Sequence, residues 1–194
     1  MRTQSERWVR VGVCVGAALL IGACTTGGGH SGPAPAQPAA MSAAPFYAVA
    51  DNAKMNRLYV FGDTKNYLQY MEHGEVPLTR SRIGAGPGGK SLIFGITRED
   101  VKGKRPSTGE QVYDGKLIGG ADFYGEYFKG GRYYVFGEWQ DFKDFQERGE
   151  VTYTFTEIGT GPKGETVIYG LNKKTVKAGR PVRLVEKFQA LRGK

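Results

Sequence analysis

RLYVFGD at residues 57–63 returns as RYYVFGE at 132–138, and EHGEV at 72–76 returns as ERGEV at 147–151. Further along, RIGAGPGGKSLIFGI (82–96) matches EIGTGPKGETVIYGL (157–171), and VKGKRP (101–106) matches VKAGRP (176–181). A shift of 75 positions lays Arg57–Pro106 over Arg132–Pro181 without a gap, and 21 of those 50 pairs are identical. Self-similarity at one fixed spacing is the mark of a repeated structural unit. Upstream, Phe46-Tyr47 pairs with Phe123-Tyr124 after a two-residue adjustment. The chain therefore reads as two modules, 46–113 and 122–194, joined by a linker at 114–121 (DGKLIGGA).

Each module reads the same way. Phe46–Ala50 and Arg57–Phe61 are short strands around a turn, as are Phe123–Tyr127 and Arg132–Phe136 around Lys129-Gly130-Gly131. Asp63–Glu72 and Glu138–Arg148 read as helices. Tyr67 and Tyr70, like Phe142 and Phe145, stand three apart and turn one aromatic face toward a sheet. Gly74 and Gly149 then supply C-terminal caps. Pro77–Ile83 with Lys90–Ile96, and Thr152–Ile158 with Glu165–Leu171, read as hairpins around Gly-rich turns. In these, Gly95 and Gly170 suggest close approach by another element, with the helix as the candidate. Helical turns are expected at Thr97–Lys102 and Asn172–Lys177, a capping box at Ser107 and Glu110, and a terminal helix through Leu184, Val185, Phe188 and Leu191. The expected class is α+β, a tandem duplication of a roughly 75-residue β-β-α-β-β(-α) module packed as a pseudo-symmetric pair.

Ahead of the modules, Arg2, Arg7 and Arg10 precede an apolar run from Val11 to Leu20, a basic head and short core that read as a secretory signal at 1–23. Ile21-Gly22-Ala23-Cys24 resembles the lipobox of bacterial lipoproteins; Val13 makes Cys14 a poorer match. The resemblance implies cleavage before Cys24 and acylation of its thiol (palmitate or a similar chain) and new amino terminus. Thr25 and Thr26 follow with no Asp, which by the same resemblance favours the outer membrane. Residues 24–45 are then a lipidated cysteine and a Gly/Pro/Ala tether without periodicity, with a reach on the order of 25 Å and about 70 Å fully drawn out.

Of 27 basic and 19 acidic residues, the signal removes three Arg and one Glu, leaving a formal +6. With Cys24 acylated no free cysteine remains, which excludes disulfides, thiolate metal sites and cysteine nucleophiles. The two histidines, His30 and His73, cannot build a multi-histidine metal site, and no cofactor is expected.

One segment, Gly84-Ala85-Gly86-Pro87-Gly88-Gly89-Lys90-Ser91, fits the phosphate-loop pattern letter for letter. It is read as a decoy. It leads into an apolar β pattern instead of a helix, and the second copy puts Glu165 where Lys90 stands. Glu72, Glu75, Glu147 and Glu150 recur as carboxylates, which suits glycoside chemistry or, more simply, solvated charge. Arg57, Arg105, Arg132 and Arg180 recur as cations, and Trp139, opposite Thr64, is the aromatic most expected to be exposed for contact. Nucleotide and nucleic acid are not expected as ligands. The sequence leads to a lipid-anchored envelope protein with a noncatalytic duplicated binding module. Its expected role is as an adaptor or accessory subunit for another envelope protein, docked on a strand edge or in a cleft between the modules. A glycan- or peptidoglycan-binding or cell-wall-modifying protein is the alternative.

Overall fold

The computed structural model describes residues 43–193; the signal, the lipobox with Cys24 and most of the tether lie outside them. The first strand, β1 (Ala43–Asn52), turns back into β2 (Arg57–Phe61), and helix α1 (Thr64–His73) follows. Asp63 caps that helix by accepting the Asn66 N–H at 2.8 Å. Gly74, at φ 78°, ends it and donates to Tyr70 O at 2.7 Å. The hairpin β3 (Thr79–Arg82) and β4 (Ser91–Gly95) comes next. Two short helices, α2 (Arg98–Lys102) and α3 (Thr108–Tyr113), then open on capping boxes built by Thr97 with Asp100 and by Ser107 with Glu110.

The order then repeats as β5 (Ile118–Lys129), β6 (Arg132–Phe136), α4 (Trp139–Arg148), β7 (Tyr153–Glu157), β8 (Thr166–Leu171) and α5 (Val182–Leu191). All eight strands form one sheet in the order β3-β4-β2-β1-β5-β6-β8-β7. Pairs β2–β4, β1–β5 and β6–β8 are parallel and the rest antiparallel, so the class is mixed α/β, with five α-helices among the described residues.

Where the two halves meet, β1 runs parallel to β5 through direct pairing from Ala43–Ile118 to Ala50–Phe128. No cleft separates the halves, contrary to one of the expected docking places. Both central strands are also longer than the apolar patterns suggested. The linker read at 114–121 gives its last four residues to β5, and Ala43–Pro45 of the expected tether belong to β1. Strands covered on both faces lose the alternation that marks strand ends, so Ala44 and Tyr47 through Ala50 are all buried.

The strand order reads alike from either edge, with a parallel seam at its centre, but the aromatics that match in sequence lie on opposite faces of the sheet. Phe61, Tyr67 and Tyr70 belong to the apolar layer on one face, whereas Phe136, Phe142 and Phe145 belong to the layer on the other. Accordingly α1 and α5 cover one face, and α3 and α4 the opposite one. The close approach expected at Gly95 and Gly170 is real, but its main source is a strand aromatic and not a helix backbone. A Cβ on Gly95 would lie 2.6 Å from the Phe61 ring, and one on Gly170 would meet Phe136.

Candidate functional site

Arg57 and Arg132 open β2 and β6; both are exposed and form no ion pair among the described residues. Arg105 follows α2 and approaches Asp100 at 3.6 Å, while Arg180 holds Glu157 at 2.9 and 3.0 Å. Because β2 and β4 are parallel, Arg57 at the start of one and Arg105 beyond the end of the other occupy opposite ends of the sheet, so the recurring arginines do not form one patch. Trp139 is corrected as an exposed contact ring. It is half-buried, its centroid 5.2 Å from Phe123 and 6.0 Å from Phe142 in a stacked pair, because the first turn of α4 lies against β5.

The phosphate-loop look-alike is a hairpin turn between β3 and β4. Gly84 and Gly89 supply the positive φ it needs, at 66° and 74°, and Ser91 already opens β4. Lys90 is committed to Asp51, with Nζ 2.5 and 2.7 Å from the two carboxylate oxygens. In the second half Glu165 accepts the Lys163 N–H at 2.7 Å and holds the equivalent turn from the other sign of charge.

Where α1 ends at Gly74, the sheet face beyond it lies bare and forms a shallow pocket of about 290 Å³. Strand alternation brings Thr79, Ser81 and Ile83 from β3 and its turn, Ser91 and Ile93 from β4, and Arg57 and Tyr59 from β2 to that face. Gly74, Glu75 and Val76 close it. Moved by 75 positions, eight of these ten residues are identical, and the other two are Ser81 to Thr156 and Ser91 to Thr166. Packing explains Tyr59, which is buried and stacks on Tyr70 at 4.3 Å, as Tyr134 stacks on Phe145 at 4.4 Å. It does not explain Ile83 and Ile158, which are 83% and 85% exposed. Nor does it explain Arg57 and Glu75, which are exposed and form no ion pair among the described residues. The surface offers one cation, one carboxylate, two hydroxyls and an apolar floor, beside the outermost strand of the sheet.

In the second half a groove of about 520 Å³ lies at the carboxyl ends of β6 and β8, between Phe123, Gly137 and Leu184. Its counterpart in the first half is shut. Gly62 there is pressed against Thr108 and the backbone of Gly109, whereas a Cβ on Gly137 would stay 3.6 Å from Leu184. On the far face of β3, Arg80 binds Glu110 at 2.5 Å and Arg82 chelates Asp114 at 2.6 and 3.0 Å, pinning α3. Burial pushes the Glu110 carboxyl up, but hydrogen bonds from Arg80 and the Ser107 N–H outweigh it and hold its pKa below the ordinary value.

Comparison of the chain with known protein families, curated proteins and solved structures finds no match. Among the described residues no three His, Cys, Asp or Glu side chains converge, and no helix is long and apolar enough to cross a membrane.

One cluster was missed from the sequence. Glu126, fully buried in β5, accepts Tyr67 Oη at 2.6 Å, Tyr124 Oη at 2.5 Å, and both Arg192 terminal nitrogens at 2.8 and 2.6 Å. Arg192 also lies over the Phe188 ring at 3.7 Å. Burial, reinforced by the nearby carboxylate, raises the pKa of both tyrosines far above the phenol range. A lone Glu in the apolar run FYGEYF and an Arg four residues after Phe188 were the available signals; their partnership spans 66 residues.

Proposed function

We propose that the chain is a lipid-anchored envelope protein, tethered through an acylated Cys24, whose residues 46–194 are a tandem duplication of one module with two equivalent, noncatalytic docking sites. The observation that supports it most is the exposed surface around Arg57, Glu75, Thr79, Ser81 and Ile83, which recurs around Arg132, Glu150, Thr154, Thr156 and Ile158. Exposed positions drift unless contact holds them, and these agree better than the pairs overall. An exposed arginine, an exposed isoleucine and an adjoining sheet edge suit a protein partner. A glycan is less well served, because the Tyr59 ring is only 7% exposed and offers little face to stack on.

The test is in-cell crosslinking of the full chain, comparing wild type with the double variant Arg57→Glu, Arg132→Glu. Recovery of the partner should fall about tenfold or more, the effect of losing roughly 1.4 kcal/mol. The far-UV spectrum should stay unchanged, since both arginines are exposed. Undiminished recovery overturns this reading. Retention of the chain on isolated cell-wall sacculi, lost in the same variant, transfers the site to a glycan.

A further inference from the structure

We infer that the two sites engage two separate copies of one partner, so that the chain bridges them. The inference rests on the docking reading above and adds its stoichiometry and the form of ligand. Tyr59 and Ile93 belong to the layer beneath α1 and α5, whereas Tyr134 packs on the layer beneath α3 and α4. The pocket around Arg57 and the matching residues around Arg132 therefore lie on opposite faces of the sheet. They also adjoin opposite edges of the sheet, β3 and β7, although the Lys163 side chain of the β7–β8 turn reaches the end of α1, at Met71 O and Glu72 O. Opening on opposite faces, the two sites present separate surfaces to a partner.

The occupant is an extended polypeptide segment. Each site runs along an outermost strand whose free edge carries unpaired N–H and C=O groups. Thr79, Ser81 and Ile83, like Thr154, Thr156 and Ile158, are spaced two apart, the period of a strand laid alongside. Exposed Arg57 and Glu75 call for a segment with both an acidic and a basic side chain. Because eight of the ten lining residues recur unchanged and the other two keep their hydroxyl, both sites select the same segment.

A photo-crosslinking amino acid placed at Ile83, at Ile158, and at both together tests this in the full chain in cells. Each single substitution should give a one-to-one adduct with the same protein, crosslinked through the same segment, and the double substitution an adduct holding two copies. That segment, synthesised as a peptide and titrated calorimetrically, should bind at two per chain. Arg57→Glu or Arg132→Glu should each reduce this to one, and the double variant to none. One-to-one adducts from both positions but never a two-copy product, or one peptide per wild-type chain, overturns bridging while leaving docking intact. Adducts only between copies of this chain overturn the choice of occupant, and no adduct from either position overturns docking itself.

Discussion

Tyr47 and Tyr124 occupy matching places in the two halves, and their hydroxyls meet opposite fates. Tyr124 donates to Glu126 at 2.5 Å. Tyr47 Oη is buried without a hydrogen-bond partner; Gln146 faces it but falls short of bonding geometry, and burial drives its pKa upward. A buried hydroxyl that bonds nothing contributes only its desolvation penalty, whereas a hydrogen bond to a charged group contributes about 1.5–3 kcal/mol. Tyr47→Phe should therefore leave the melting temperature unchanged or raise it, and Tyr124→Phe should lower it, in thermal melts run side by side. The difference traces to Glu126, whose counterpart across the same strand pairing is Val49. A single residue in one half has drawn two tyrosines and an arginine into a network that the matching place in the other half lacks.

The helices that follow β4 and β8 show how one residue decides whether an element closes or opens a space. Gly109 of α3 sits on Gly62, backbone to backbone, and the equivalent contact in the second half is Leu184 against Gly137 at a distance. Gly62→Ala should destabilise the fold by about 1–3 kcal/mol through overpacking. Gly137→Ala should be neutral or slightly stabilising, because its Cβ finds room and alanine reduces unfolded-state entropy. Urea denaturation of the two variants checks both signs. Elements of this kind were readable where local chemistry sets them. The stop at Gly74, the Ser107–Glu110 box and both Gly-rich hairpins follow from residues within a few positions of one another, whereas Asp63, which reads as helical in the sequence, is the cap instead. The extra length of β1 and β5 was not readable, since burial on both faces erases the period. Trp139 looked free because Thr64 stands opposite, and only the path of β5 beneath it shows otherwise. Arg57, Arg132, Glu75 and Glu150 were flagged as recurring charges. Their assembly with Thr79, Ser81 and Ile83 needed the order of β2, β4 and β3 across the sheet.

At the scale of the molecule, the halves resemble one another in sequence yet depend on one another physically. Each apolar layer draws residues from both, and β1 and β5 shield each other's inner edges. Residues 43–117 or 118–194 produced alone should fail to give a cooperative unfolding transition, each exposing a long central strand. Mixing the two fragments should restore it, as followed by near-UV circular dichroism. The Glu126 network crosses the same boundary, because Tyr67 comes from the first half and Glu126, Tyr124 and Arg192 from the second. Arg192 leaves the ribosome after every other residue of the sheet and its helices. Until it arrives, Glu126 would have to be buried without its counter-charge, at a cost of about 3–5 kcal/mol. Until Arg192 joins them, the eight strands lack this fastening, and the whole sheet sets only when the residue that follows its final helix arrives.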